Sequence, residues 1–237
     1  SFSKQYFDLK FKQENIKNFT YSLYEIENLK YFENTILKDN IIGLNVTRPY
    51  KKEIIKYLDE LDNISLKTQS VNTVFIDPNT KKKTGFNTDA IGFEKLFENC
   101  NYTKNIKGLI LGSGGAAQTI SFILKKKQIA HKMVSRNPRE NMINYTDLKE
   151  SIKDAKLIIN TTPLGQYPNI NLFPNIPYNL ISKNHICIDL IYNPQKSLFL
   201  QKSHNQGAQI LNGEQMLITQ AEKSWSIWQK MIQQYNV

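Results

Sequence analysis

The chain has 237 residues and a mass of 27.5 kDa, which allows one large domain or two of ordinary size and excludes a disulfide-stapled mini-protein. Hydrophobic residues make up 40% and charged residues 22%, a composition that builds a core and excludes a disordered chain. The net charge of +10 comes mainly from lysines spread along the whole chain, since only three residues are arginine: Arg48, Arg136 and Arg139. Nucleic-acid-binding surfaces are typically clustered and richer in arginine, so we expect no nucleic-acid partner.

The two cysteines, Cys100 and Cys187, lie far apart and lack the spacing of metal ligands, which is typical of a reducing compartment and predicts no metal site. No segment approaches the roughly 18 to 20 apolar residues that a membrane helix needs, and no signal peptide is recognised. We therefore expect a cytoplasmic protein without a membrane partner. Because the chain starts at Ser1 and not at a methionine, we expect it to begin inside a longer chain.

The first hundred residues alternate between helical and strand periodicity. The pattern predicts helices over 3–17, 28–38 and 49–60, strands over 21–27, 41–46, 72–77 and 84–87, and a further helix from Ala90. Such alternation is typical of an α/β layer with parallel strands. The polar segment 99–107 marks a boundary, so residues 1–100 are predicted to form the first domain.

The alternation starts again after this boundary. It predicts strands over 107–111, 131–135, 156–160, 185–190 and 208–211, with helices over 115–127 and 146–153. This pattern favours a Rossmann-like nucleotide-binding domain over 101–212. Three prolines within 163–183 indicate a loop with at most one short helix. The last segment, 213–237, is predicted to be a long helix that packs back on the first domain.

A glycine-rich turn, Gly112-Ser-Gly114-Gly115-Ala-Ala117, fits the pattern G-x-G-x-x-A directly after an apolar strand and before an apolar-faced helix. Gly112 would make the tight turn, Gly114 would let the backbone approach a pyrophosphate, and the free N–H groups of the helix would hold the phosphate charge. The alternative is a glycine-rich turn that binds no ligand.

The end of the second strand of this domain distinguishes between nicotinamide cofactors. An Asp or Glu there would accept hydrogen bonds from the adenosine ribose, but the sequence is Ser135-Arg136-Asn137-Pro138-Arg139. A guanidinium binds phosphate through two parallel hydrogen bonds, so the sequence favours NADP over NAD. The alternative is a solvated basic turn.

Two charged residues of the first domain stand at predicted strand ends, where open α/β sheets bind ligands. Thr47 and Lys51 follow the strand over 41–46, and Asp89 lies near the start of the helix after the strand over 84–87. Such a pair can contact each other and a polyol ligand. From spacing alone, the commoner interpretation of this pattern is that the lysine lies on the surface and the aspartate caps a helix.

Six motifs in chain order resemble the motif set of the shikimate dehydrogenase family. They are Asn45-Val-Thr47-x-Pro49-x-Lys51, Val71-Asn72-Thr73, Asn87-Thr-Asp89-x-x-Gly92, Gly112-x-Gly114-Gly115-Ala116, Asp189-x-x-Tyr192-Asn-Pro194 and Asn212-Gly213-x-x-Met216-Leu217-x-x-Gln220. The resemblance implies a two-domain α/β enzyme that reduces 3-dehydroshikimate reversibly to shikimate with NADPH, in aromatic amino-acid biosynthesis, as a monomer or homodimer with small-molecule ligands and no metal.

The resemblance also assigns roles to individual residues. Lys51 and Asp89 would be the catalytic pair. The substrate would be surrounded by this pair and by Ser1, Ser3, Thr47, Asn72, Tyr192 and Gln220. The cofactor would be bound by Gly112, Ser113, Gly114, Gly115, Ala116, Ser135, Arg136, Asn137, Arg139 and Gly213.

The sequence departs from the family pattern at several positions. The family's opening strand is absent from this sequence, Lys4 replaces a usual proline, and Phe7-Asp8 stands where His-Asn is common. Ser135-Arg136-Asn137 replaces Asn-Arg-Thr, and Gln166 stands where methionine is usual. The alternatives are an NAD-preferring quinate or shikimate dehydrogenase and a non-catalytic ligand-binding protein of the same fold. Retention of Lys51 and Asp89 speaks against the second.

Overall fold

The computed structural model describes residues 2–38, 40–102 and 105–234. They form two compact units, with the division in the chain between Ile41 and Ile42. The predicted boundary near residue 100 falls within the second unit, where it separates two sheets along the sequence, and the assignment of domains on either side of it stays a prediction.

The first unit is helical. Helix α1 covers Phe2–Gln13, and a short 3-10 turn leads into helix α2, Phe32–Lys38. Helix α1 ends four residues earlier than the predicted 3–17 because Asn15 adopts a left-handed conformation, with a φ of 54°.

The predicted strand over 21–27 is wrong, since this segment has no regular secondary structure. Its first aromatic residue, Tyr21, packs on helix α1 instead. The ring of Tyr21 stacks on the ring of Phe7 in α1, with centroids 4.5 Å apart, and Phe7 is completely buried. The segment is therefore held by side-chain packing on a helix and not by a neighbouring strand.

The second unit begins with a four-stranded sheet in the order β1-β3-β4-β2. Its elements are β1 (Gly43–Asn45), β2 (Glu60–Leu61), helix α3 (Asn63–Thr68), β3 (Thr73–Ile76), β4 (Lys83–Phe86) and helix α4 (Asp89–Phe97). The expected parallel pairing is wrong for β3, which pairs antiparallel with both β1 and β4. The turn over 77–82 is too short for the crossover that parallel strands require.

The predicted helix over 49–60 is also wrong, and only a 3-10 helix over Glu53–Tyr57 forms there. The backbone after this 3-10 helix forms hydrogen bonds to the strand β4 of the sheet instead. Asp59 N–H donates to the carbonyl of Lys83, and Asp62 N–H donates to the carbonyl of Gly85. The Asp62 side chain then caps α3 by accepting from Ser65 N–H at 2.7 Å, and neither β2 nor α3 was predicted.

The second sheet has six parallel strands in the order β10-β9-β8-β5-β6-β7. Its elements are β5 (Lys107–Leu111), α5 (Gly115–Lys126), β6 (Ala130–Val134), β7 (Met142–Ile143), α6 (Leu148–Asp154), β8 (Leu157–Asn160), β9 (Ile186–Asp189), α7 (Leu198–Asn205) and β10 (Gln209–Leu211). The chain leaves β5 toward β6 and later returns to its other side at β8. This reversal of strand order creates a crevice at the carboxyl ends of β5 and β8.

Two hydrophobic cores enclose this second sheet. Phe93 of α4 and Ile120 of α5 belong to one core, and Ile152 of α6 and Phe199 of α7 belong to the other. The predicted strands and α5 are confirmed to within a few residues, whereas β7 and α7 were not predicted. The segment 163–183 contains only a 3-10 turn over Tyr178–Leu180, as expected.

The last helix, α8 (Glu214–Gln233), lies against α4 and the first sheet. A Cβ at Gly92 of α4 would come within 2.6 Å of the Met216 carbonyl oxygen, so the two helices approach closely there. The Trp228 indole N–H donates to the carbonyl of Val74 in β3 at 2.9 Å. No helix in the described part of the chain has the length and apolar character to cross a membrane.

Candidate active site

Lys51 and Asp89 form an ion pair beside the first sheet. Lys51 lies after β1 and Asp89 opens α4, and the lysine Nζ is 2.5 Å from the aspartate Oδ2. The side chains are only 17% and 7% exposed, respectively. The Lys51 carbonyl accepts from Val71 N–H at 2.8 Å, which holds the lysine beside the start of β3. The two charges expected at strand ends therefore do meet, although β3 lies between β1 and β4 in the sheet.

Asn72 links this ion pair to helix α8. Its Nδ2 donates to Asp89 Oδ1 and to Thr88 Oγ1, both at 2.9 Å, and lies 3.3 Å from Gln220 Oε1. Its Oδ1 accepts from the backbone N–H of Thr88 at 2.7 Å. Asp89 thus receives a lysine at one carboxylate oxygen and an amide at the other, so both oxygens are held in place.

A second layer of hydroxyl groups holds these residues in place. Ser224 of α8 lies 2.7 Å from Thr73 Oγ1, accepts from Asn45 Nδ2 at 3.1 Å and donates to the Gln220 carbonyl at 2.9 Å. This cluster fixes the turn of α8 that carries Gln220 against β1 and β3. Roles for Ser224 and Thr88 were not predicted, because single serines and threonines give no periodic signal.

Arg48 connects the turn after β1 with the loops of the second sheet. Its guanidinium donates to Gln166 Oε1 in the loop after β8. Burial raises the pKa of Tyr192, and the positive charge of nearby Arg48 opposes that rise. Arg48 was not predicted to belong to the site, although it is one of only three arginines and stands inside a family motif.

The other predicted substrate residues are not brought into this network. Thr47 is exposed, and its carbonyl accepts from Tyr50 N–H at 3.0 Å. Ser3 belongs to the first unit, where burial raises the pKa of Tyr21 to about 12 and a hydrogen bond with Ser3 opposes the rise. Ser1 lies outside the described residues. The substrate roles of Ser1, Ser3 and Thr47 stay predictions.

The glycine-rich turn has the backbone geometry that a tight turn after a strand requires. Gly112 has a φ of +118°, and a Cβ there would lie 2.5 Å from Thr161 Oγ1. Its N–H donates to the Val134 carbonyl at 2.8 Å, so the turn stays bound to the end of β6. Only glycine satisfies both the conformation and the space at this position.

The next two glycines open the start of helix α5 to a ligand. A Cβ at Gly114 would meet nothing within 4 Å, whereas a Cβ at Gly115 would lie 2.7 Å from Ser70 Oγ. Ala116 follows, and Ala117 packs with no exposed surface. The first N–H groups of an α-helix have no partner within the helix, and the space beside Gly114 is open, so this helix start fits the pyrophosphate of a dinucleotide.

The end of β6 is basic and polar. Ser135 Oγ lies 3.3 Å from Ser113 Oγ in the glycine-rich turn and accepts from Asn137 N–H at 3.3 Å. Arg136 and Arg139 are exposed. No carboxylate occupies the position that would bind a ribose 2′-hydroxyl, so the edge fits a negatively charged 2′ substituent.

Two motif residues of the second sheet have structural roles. Asp189 at the end of β9 is completely buried and accepts from Ser197 Oγ, from Asn160 Nδ2 at 3.0 Å and from Ile191 N–H at 3.1 Å. Burial raises its pKa to about 6. A Cβ at Gly213 would lie 2.1 Å from the Leu190 carbonyl oxygen, so this glycine permits close packing before α8.

A parallel sheet with a glycine-rich turn beside its reversal point, together with a lysine–carboxylate pair beside the four-stranded first sheet, defines the class of α/β dinucleotide-dependent oxidoreductases. Within the described residues, no three His, Cys, Asp or Glu side chains are grouped as metal ligands.

Comparison with known proteins narrows this class. Residues 1–74 match the family model of the shikimate dehydrogenase substrate binding domain. The NADP⁺-dependent shikimate dehydrogenase of Methanococcus maripaludis strain C6 is 39% identical over 230 residues, which cover 89% of this chain and 81% of that protein. The corresponding protein of Methanocaldococcus jannaschii is 33% identical over 249 residues, with 96% and 86% covered. The chain belongs to the shikimate dehydrogenase family.

Solved structures agree with this assignment. The shikimate dehydrogenase 1 of Peptoclostridium difficile superposes with a TM-score of 0.85 at 33% identity, covering 97% of this chain and 87% of that one. A shikimate dehydrogenase crystallised with NADP⁺ gives a TM-score of 0.83 at 31% identity, covering 96% and 85%. The quinate dehydrogenase of Corynebacterium glutamicum shares the fold, with a TM-score of 0.76 at 22% identity, covering 95% and 88%.

Proposed function

We propose that this protein reduces the keto group of 3-dehydroshikimate to the hydroxyl of shikimate with NADPH, reversibly. The observation that carries the proposal is the Lys51–Asp89 ion pair joined to the amides of Asn72 and Gln220. The nicotinamide cofactor supplies the hydride when it is bound. The proposed cofactor-binding positions are the turn over 112–116, the polar residues Ser135, Arg136, Asn137 and Arg139 after β6, and Gly213.

The protein must deliver one proton to the carbonyl oxygen of the substrate. Lys51 is the proposed donor, because its ammonium group carries three N–H donors and is held by a single carboxylate at 2.5 Å. Asp89 keeps this ammonium group in place and accepts a substrate hydroxyl. The opposite reaction uses the same groups with the proton moving back to Lys51.

The remaining polar groups orient the ring of the substrate. Asn72 and Gln220 present amides beside Asp89, and we propose that they bind ring hydroxyls, as does Tyr192. Thr47 is proposed to contribute a further hydroxyl contact. By the family resemblance, Ser1 and Ser3 would bind the carboxylate of the substrate. The amides are well suited to hydroxyls because each both donates and accepts.

The test of this proposal is a kinetic comparison that follows NADPH absorbance with 3-dehydroshikimate. Lys51→Ala should lower kcat by at least about a hundredfold with a much smaller change in KM, because the proton donor acts in the transition state. Lys56→Ala, an exposed lysine on the next turn, serves as a matched control and should keep wild-type kcat. A Lys51→Ala variant with near-normal kcat contradicts the proposed role.

The ion pair is expected to act as a unit. Asp89→Asn removes the charge while keeping the shape, so the double variant with Lys51→Ala should be little slower than the slower single variant. If the loss of kcat in the double variant equalled the product of the two single losses, the two residues would act independently.

Arg136 determines cofactor preference in this proposal. A charge-assisted contact between guanidinium and phosphate is worth about 1.5 to 3 kcal/mol, so Arg136→Ala should weaken kcat/KM for NADPH roughly ten- to a hundredfold and leave NADH nearly unchanged. Equal losses with both cofactors would refute this role. Parallel assays with quinate and NAD⁺ distinguish the alternative of an NAD-preferring quinate or shikimate dehydrogenase.

We also propose a cytoplasmic monomer or homodimer whose partners are small molecules and not nucleic acid. Cys100 and Cys187 are free and buried, and burial raises the pKa of each thiol to about 12, which agrees with a reducing compartment. Light scattering after size-exclusion chromatography measures the oligomeric state, and a larger assembly would contradict the proposal.

A further inference from the structure

Lys52 points away from the ion pair of its neighbour Lys51 and toward the glycine-rich turn. Its Nζ lies 3.4 Å from the carbonyl oxygen of Ser113. Ser113 in turn lies beside Ser135 at the end of β6, with the two hydroxyl oxygens 3.3 Å apart. The ammonium group of Lys52 therefore reaches the basic edge of the second sheet from the first sheet.

Lys52 meets a second positive charge at this edge. Burial lowers the pKa of Lys52, and the nearby charge of Arg139 lowers it further. In the part of the chain that the structure describes, neither residue has a carboxylate within ion-pair distance. Other exposed lysines do have one, as Lys126 has in Glu94 at 2.8 Å. The two cations at this edge thus repel each other without a compensating protein anion.

An anion of high charge would be attracted to both cations and would screen their repulsion. A phosphate monoester carries nearly two negative charges near neutral pH and accepts several hydrogen bonds at once. The surrounding hydroxyls of Ser113 and Ser135 offer further donors. Carboxylates carry a single charge and fit the pair of cations less well.

We propose that Lys52 is a ligand of the 2′-phosphate of NADP, acting together with Arg136 and Arg139. This inference rests on the proposed cofactor site and adds a residue from the first sheet to it. Cofactor preference would then depend on both parts of this unit, because the turn after β1 would supply a cation to the phosphate site.

Direct binding of adenosine 2′,5′-bisphosphate, NADP⁺ and NAD⁺ to the intact protein, measured by calorimetry, tests the proposal. Lys52→Gln should weaken the bisphosphate and NADP⁺ roughly tenfold, the lower end of the range for a charge-assisted contact because Lys52 is exposed, and leave NAD⁺ unchanged. Lys52→Arg should retain most of the affinity. Lys56→Gln is the matched control for the same change of charge on the same segment and should bind all three ligands as the wild type does.

The outcomes separate this inference from the proposed function. If Lys52→Gln binds the bisphosphate as tightly as the wild type while Arg136→Ala binds it weakly, the role of Lys52 is refuted and the cofactor site stands. If Lys52→Gln weakens NAD⁺ as much as NADP⁺, Lys52 supports the glycine-rich turn through Ser113 and the inference is also refuted. A wild-type protein that binds neither NADP⁺ nor the bisphosphate would overturn the proposed cofactor itself.

Discussion

Asp189 is expected to make the stability of this protein depend on pH in the direction opposite to that of most carboxylates. It is completely buried, and burial raises its pKa from an ordinary value of 3.8 to about 6 against the opposing hydrogen bonds of Ser197, Ile191 and Asn160. The folded state therefore holds the proton more tightly than the unfolded chain does. Asp189→Asn removes the titrating group while keeping its size.

The sign and size of the effect follow from the two pKa values. Between pH 3.8 and about 6 the native state binds more protons than the unfolded state, so the contribution of Asp189 to the free energy of unfolding is greatest below pH 3.8 and is lost as the pH rises through 6. A difference of about two pKa units corresponds to about 3 kcal/mol. Relative to the wild type, Asp189→Asn should therefore gain about 2 kcal/mol between pH ~4 and pH ~7, because the unfolded side chain is already partly ionised at pH ~4.

The amide is compatible with this site. Its oxygen still accepts from Asn160 and Ile191, and its Nδ2 donates to Ser197 Oγ once that hydroxyl rotates. Urea denaturation of both proteins at the two pH values measures the difference, and Asp147→Asn, at an exposed carboxylate, should keep the wild-type dependence. A difference between Asp189→Asn and the wild type that does not change with pH would refute the reasoning.

Three further substitutions test the packing and the site. Asn72→Ala should cost about 2 to 4 kcal/mol of unfolding free energy in urea titrations, because it leaves the buried Thr88 N–H unpaired and removes a partner of Asp89. Gly92→Ala should cost about 1 to 3 kcal/mol in the same measurement, because its Cβ would press on a backbone carbonyl of α8. A Cβ at position 114 has open space, so Gly114→Ala should leave stability unchanged while weakening the binding of NADP⁺ in calorimetry. An unstable Gly114→Ala or a stable Gly92→Ala would contradict this contrast.

The second sheet could be predicted from the sequence because its central strands are buried on both faces. Residues 109–111, 157–159 and 186–188 are continuous apolar runs, the pattern that parallel strands require. The first sheet has one such run, residues 74–76 in β3, but this strand pairs antiparallel with both neighbours, so its direction was predicted wrongly. There the direction is set by the turn over 77–82, where Asp77 accepts from the backbone N–H groups of Asn79 and Thr80.

The ion pair of the site was predicted from the sequence, whereas the hydroxyl groups that hold it in place were not. Lys51 and Asp89 stand at strand ends, where α/β sheets bind ligands, and the family resemblance selected them as a pair. Ser224 supports the same site from a helix 151 residues after Thr73 in the chain, a contact that depends on the three-dimensional packing of α8. Short polar side chains carry no periodic pattern, so such a contact leaves no trace in a single sequence.

The incorrect helix over 49–60 explains why the turn after β1 could not be interpreted from spacing. In a helix over 49–60, Lys51 and Lys52 would stand in the first turn directly after Arg48, and three positive charges would crowd the start of the helix. The irregular turn instead directs them to three partners, Gln166, Asp89 and Ser113. Tertiary hydrogen bonds to the backbone of this turn, such as the one from Val71 N–H to the Lys51 carbonyl, are therefore what separate the charges. A helix would concentrate positive charge on a single surface, whereas the turn distributes it to both sheets.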